Sequence, residues 1–196
     1  MIVVLPDADL VAVVTGKRNY PFLPLVDRLV ALAASPTALP ADAAGNARLA
    51  DRIAAAAVEN ATPVAPASAL AAAVSGRTWR FDRNALGVRS LRLDLKAGEA
   101  RYRVELEGAR GGGPTRRIVE GPLGLDGVSR STDLGGGDVL AVKGRWLGDD
   151  TFELVSHSVG EGVVTRARLT FREHELDATL TVNNGLVERV HGERAD

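Results

Sequence analysis

The sequence predicts a mainly β protein, an antiparallel up-and-down barrel preceded by a β-hairpin and two helices. Three observations carry that expectation. From Gly76 onward apolar residues recur at every second position, the signature of half-buried strands. The connectors between these runs, LKAGEA, LGDDT and REHE, have lengths that suit hairpins. Before Gly76 the pattern differs, with two short β-branched runs and then apolar residues at helical spacing.

In chain order, Met1–Leu5 is a β-branched apolar run, Pro6–Asp9 has turn chemistry, and Leu10–Val14 is a second run closed by Gly16. This reads as a hairpin too hydrophobic to stand alone in water. FLPLVDRLVALAA then places Phe22, Leu25, Val26, Leu29, Val30 and Leu32 on one helical face, with Pro24 in the tolerant first turn. Ser35–Gly45 has linker composition, and NARLADRIAAAAVE predicts a second helix with Asn46 as its N-cap. The Ala/Pro stretch ATPVAPASALAAAVSG resumes the linker.

In the period-two region, Leu91, Leu93 and Leu95 alternate with Arg92, Asp94 and Lys96, and Tyr102, Val104 and Leu106 alternate with arginines and glutamates. The same pattern places Leu140, Val142 and Trp146 on one face, Ala167, Leu169 and Phe171 on another, and Leu176, Ala178 and Leu180 on a third. Some eight to ten short strands, each with one apolar face, need a closed architecture. A barrel provides it and removes the exposed edges, and a β-sandwich is the competing closure.

Composition removes several functional classes. The 24 basic and 25 acidic residues nearly cancel, so no electrostatic footprint points to nucleic acid. There is no cysteine, which excludes disulfides, thiolate metal sites and a cysteine nucleophile. The apolar N-terminus has no basic region and is interrupted by Asp7 and Asp9, unlike a signal peptide, and no stretch has the length of a membrane span. The compartment stays open, exported and cytoplasmic locations both fitting.

The sequence offers no candidate catalytic, cofactor-binding or metal-ligating residues. No serine is followed three residues on by lysine, and no GxSxG elbow occurs. His157, His174 and His191 are scattered; His174 lies in a turn-like REHE, and His157 has the parity opposite to Phe152 and Leu154, toward solvent. GARGGGPTRR lacks the Lys-Ser/Thr ending of a phosphate loop and reads, like DLGGGD, as a hairpin loop.

Pro6, Asp7, Leu10, Val11, Val13, Val14, Thr15 and Gly16, followed by an amphipathic helix, resemble the end of the catalytic domain in serine hydrolases of the beta-lactamase and penicillin-binding-protein superfamily. The stretch from SGRTWRFDRNALGVRS onward, with GPLGLDG, VKGRW, DDTFEL and RLTF as landmarks, resembles the lipocalin-like barrel appended to many of its members. The resemblance implies three segments: 1–34, the last hairpin and helix of a truncated hydrolase domain; 35–75, a linker with a short helix; and 76–196, the accessory barrel. It also implies a missing upstream catalytic domain as partner. The family's serine-x-x-lysine, tyrosine-x-asparagine and lysine- or histidine-led triad would lie before Met1, and Thr15–Lys17 has the reverse order of such a triad. On this reading the chain is catalytically silent by itself, and the barrel shapes substrate access or assembly.

The alternative is a stand-alone module binding a small apolar ligand, with inward Trp79, Phe81, Tyr102, Trp146 and Phe171 as contacts. The bland counterpart is that these aromatics fill the barrel. Outward Arg101, Arg103, Arg166 and Arg168 would suit self-association into a homo-oligomer, although charged outer faces are what any solvated sheet shows.

Overall fold

Alternation of apolar and polar side chains within the successive strands between Thr78 and Arg194 lets one sheet bury one face. The structure, a computed structural model, describes residues 2–14, 23–32, 40–56, 58–110 and 113–195. The chain divides into two compact units, one running up to Glu59 and joined by Gly160–Gly162, the other spanning Asn60–Val159 and continuing from Val163.

In the first unit, β1 (Ile2–Leu5) and β2 (Leu10–Val13) pair antiparallel, Ile2 opposite Val13 and Val4 opposite Val11. The turn between them is a 3-10 helix, Pro6–Ala8, closed by Asp9 in a left-handed conformation whose N–H donates to Pro6 O at 3.1 Å. Helix α1 spans Leu23–Leu32 and α2 spans Ala43–Ala56. The cap of α2 is Asp42 rather than Asn46: its Oδ1 accepts from the Gly45 N–H at 2.7 Å. Ala43 and Ala44 are strong helix formers, so the helix nucleates one turn before the expected cap. Thr15–Lys17 and residues 35–39 of the Ser35–Gly45 linker lie outside the described residues.

The second unit is the expected antiparallel up-and-down barrel. Its strands are β3 (Thr78–Phe81), β4 (Val88–Asp94), β5 (Arg101–Arg110), β6 (Gly113–Pro122), β7 (Arg130–Gly135), β8 (Asp138–Trp146), β9 (Thr151–Val159), β10 (Val163–Arg172), β11 (Glu175–Val182) and β12 (Val187–Arg194). They form one ten-stranded sheet in the order β6-β5-β4-β3-β12-β11-β10-β9-β8-β7. First and last strands therefore meet, with Gly192 opposite Phe81 and Arg194 opposite Trp79. A single continuous sheet of this order is a barrel and not a sandwich.

Closure is incomplete between β6 and β7, which lie side by side without a hydrogen-bonded ladder. At this seam Gly121 leaves room for Thr132, whose hydroxyl a Cβ at position 121 would strike. Beyond β6 the chain crosses the seam: Gly124 N donates to Val142 O at 3.2 Å and Gly144 N donates to Gly124 O at 2.8 Å, a parallel bridge to β8. The GPLGLDG landmark is this crossing. Asp126 then accepts from Val128 N at 3.3 Å and pairs with Arg130 at 2.7 Å, which turns the chain into β7.

Residues from Asn60 have linker composition yet belong to the barrel unit. Thr62 N donates to Gly127 O at 3.0 Å, Lys143 Nζ donates to Thr62 Oγ1 at 2.9 Å, and Ser68 Oγ donates to Asp149 O. A one-turn helix α3 (Ala71–Val74) follows, with Val74 buried, and Ser75 Oγ accepts from Leu95 N at 2.8 Å. Linker composition describes this strap's flexibility as a free chain, not its fate beside a sheet that offers it hydrogen-bond partners.

Candidate functional site: a cavity in one half of the barrel

The two halves of the barrel interior are filled differently. At the strap end Trp79, Trp146, Phe152 and Phe171 form an aromatic plug. Trp79 and Phe171 have ring centroids 5.5 Å apart, Trp146 and Phe152 5.2 Å in an edge-on arrangement, and Trp146 and Phe171 6.1 Å. All four are buried. Each lies at the strap end of its strand, so the large rings converge on one level.

The other half, nearer the Asn84–Gly87 turn, holds a cavity of about 330 Å³. One wall comes from β3 to β6, with Phe81, Leu91, Val104 and Val119; the facing wall comes from β8 to β11, with Val142, Leu154, Ala167 and Leu180. Leu86, Val88, Leu106, Leu134 and Leu140 form a half-buried apolar rim. Polar groups on the lining are few: Tyr102, Ser156, Ser158, Thr165 and Arg117.

Their disposition follows from strand parity. Ser156 and Ser158 continue the inward series of Phe152 and Leu154 on β9, and Thr165 on β10 stands directly opposite Ser156. Arg117 shares the parity of buried Val119 on β6 and pairs across to Leu106, with its side chain exposed. Tyr102 is 3% exposed, and neither its hydroxyl nor Thr132 Oγ1 across the seam finds a hydrogen-bond partner among the described residues. Burial pushes the Tyr102 phenol above its usual range, and the Arg101 guanidinium offsets only part of that effect.

Of the five aromatic contacts expected from sequence, Phe81 and Tyr102 line the cavity. Trp79, Trp146 and Phe171 belong to the plug. Alternation shows that a side chain points inward but not at which level, and level decides between filler and wall.

The histidines do not converge. His157 is exposed on β9, His174 occupies the β10–β11 turn, and His191 accepts or donates a hydrogen bond with Asp177 at 2.9 Å on the outer face. Among the described residues no group of three His, Cys, Asp or Glu is placed to hold a metal ion. A second recess of about 230 Å³ lies under the strap, where buried Glu153 is neutralised by Arg145 at 3.1 Å. No helix among the described residues is long and apolar enough to cross a membrane.

No protein-family model matches the chain, and no curated protein matches its sequence. Among solved structures it is similar to secretory abundant heat soluble protein 4 from Ramazzottius varieornatus, at 17% identity and a TM-score of 0.38, over 55% of this chain and 69% of that one. It is also similar to fatty-acid-binding protein 1 of Echinococcus granulosus, at 14% identity and a TM-score of 0.42, over 64% of this chain and 99% of that one. A fatty-acid-binding protein from Manduca sexta gives 15% identity and a TM-score of 0.38, over 61% and 98%.

Proposed function

We propose that the barrel is a binding module that takes a small apolar ligand into its unfilled half. The observation that carries this reading is the cavity itself. Protein interiors pack to crystal density with few voids larger than a water molecule. A space of about 330 Å³ is roughly ten times the volume share of one water and about twice an apolar cavity that admits benzene. Its walls are mostly aliphatic, with a handful of polar atoms to orient what enters. The aromatic plug blocks the interior at the strap end and sets the depth available.

Titration with a neutral environment-sensitive dye such as Nile red tests the proposal. Saturable binding by the native chain, weakened at least tenfold by Leu140→Trp at the rim, is the expected result. A dye that does not bind, or binds the Trp variant equally well, overturns it.

A second reading rests on the hairpin. Ile2, Val4, Val11 and Val13 share one face of β1 and β2 and are 58–68% exposed. We infer that a larger sheet covers this face in a longer protein, in keeping with the resemblance to the end of a serine hydrolase domain. The test is the coding sequence upstream of Met1. An in-frame serine-x-x-lysine segment within the length of one large domain supports it, and an in-frame stop codon directly before Met1 overturns it.

A further inference from the structure

We infer that the ligand of the barrel cavity carries a single anionic head held at the rim by Arg117, with its apolar chain lying inward toward the plug. This rests on the cavity being a binding site, and it adds the chemical class of what binds.

The charge on the lining is one-sided. Arg117 is the one charged side chain among the described residues that line the cavity, and no carboxylate shares the lining. A cationic ligand would meet an uncompensated guanidinium, whereas an anion would neutralise it.

The neighbouring arginines behave differently. Arg116, on the outer face of β6, pairs with Glu105 at 3.0 Å, and Arg103 on β5 pairs with Glu120. Arg117 has the parity of the inner face and no ion-pair partner among the described residues; it stands opposite Leu106 on β5, and Leu106, Val119 and Leu134 share the lining with it. A guanidinium beside apolar walls and without a carboxylate gains most from a planar two-oxygen anion, which it can grip with parallel N–H donors.

The opposite wall supports the same head. Counting from β6 across the seam, β9 and β10 are the third and fourth strands, on the far side of the barrel. There Ser156, Ser158 and Thr165 supply hydroxyls that can donate to a carboxylate or to water bound by it. The remainder of the lining is suited to a hydrocarbon chain.

Three probes with one chain length separate head from tail: decanoate, decanol and decylamine, each displacing Nile red at neutral pH and low salt. Decanoate is expected to displace the dye at about tenfold lower concentration than decanol, a charge-assisted hydrogen bond being of that order. Decylamine should be the weakest of the three. In Arg117→Met the ratio of decanoate to decanol displacement should fall to within about twofold, and Arg117→Lys should retain part of the native ratio. Raising the salt should shrink the advantage in the native chain. Because Arg117 is exposed, neither variant removes core packing, and a thermal melt confirms folding.

Equal displacement by decanoate and decanol in the native chain overturns the anionic head and leaves the apolar cavity standing. So does an advantage that survives in Arg117→Met. A native chain that takes up no dye overturns both.

Discussion

Trp146 touches both Phe152 and Phe171 and holds the aromatic plug together. It is 7% exposed, so replacing it with alanine removes a large buried side chain that the surrounding rings cannot fully replace. Trp146→Ala should destabilise the barrel by about 3–5 kcal/mol, read as a lower denaturation midpoint in urea. An unchanged midpoint would move the ring out of the core. On the outer face, the Asp177 hydrogen bond holds His191 above the ordinary histidine range, and His191 in turn holds Asp177 below the ordinary carboxylate range. The signs give a pH window. The His191 contribution is fully present below its unfolded pKa and is lost as pH rises through the raised folded value; the Asp177 contribution is lost only as pH falls through its lowered one. An NMR titration of the His191 ring should show an elevated midpoint that returns toward the ordinary value in Asp177→Asn. The inward face of Trp146 was legible because Leu140 and Val142 share its parity. In the sequence Arg117 stands out only as a neighbour of the glycine-rich GARGGGPTRR loop, and Ser156 and Ser158 belong to no motif, although the parity that put His157 outward puts its serine neighbours inward. Charge and hydroxyls on an inward face read as exceptions to a pattern until a cavity is seen beside them.

Period two identified the strands well because each has one buried face. The weakly alternating elements were harder to see. β7 is short and ends in Gly135, and α3 is one turn of alanines ending in Val74. The strap was hidden for a similar reason: its bonds to Gly127, Lys143 and Asp149 reach residues far along the chain, and no local window contains them. The seam crossing is the most exacting element. Gly124 must approach β8 closely enough to bridge it, and a Cβ there would collide with the Val128 carbonyl. Gly124→Ala should therefore loosen the crossing at a cost of about 1–3 kcal/mol, typical of overpacking. Amide exchange should accelerate first at Gly144, whose N–H donates to Gly124, and remain slow on β11. Uniform acceleration across the barrel would mean that the crossing is no weaker than the ladders around it.

Two units of different character share one chain. The barrel buries its apolar residues, whereas the hairpin presents four β-branched or aliphatic side chains to solvent, and among the described residues its two strands pair with no others. Exposed apolar strands associate. The full chain should therefore self-associate at micromolar concentration in light-scattering measurements, while a shorter chain beginning at Asn60 stays monomeric. A full chain that is monomeric under the same conditions would show the hairpin to be covered from within. The barrel has one more property, set by the pairing of β3 with β12. Ala195 N donates to Thr78 O at 2.9 Å, so the two ends of the ten-stranded sheet's chain lie together where hydrogen bonding is continuous, and the break in bonding falls in mid-sequence, between β6 and β7. Joining Ala195 to the start of the strap and cutting the chain at Asp126–Ser129 would yield a meander whose order in sequence matches its order in space, from β7 round to β6. The barrel is thus a linear sheet bent until its edges touch, with its covalent ends displaced from its physical ones.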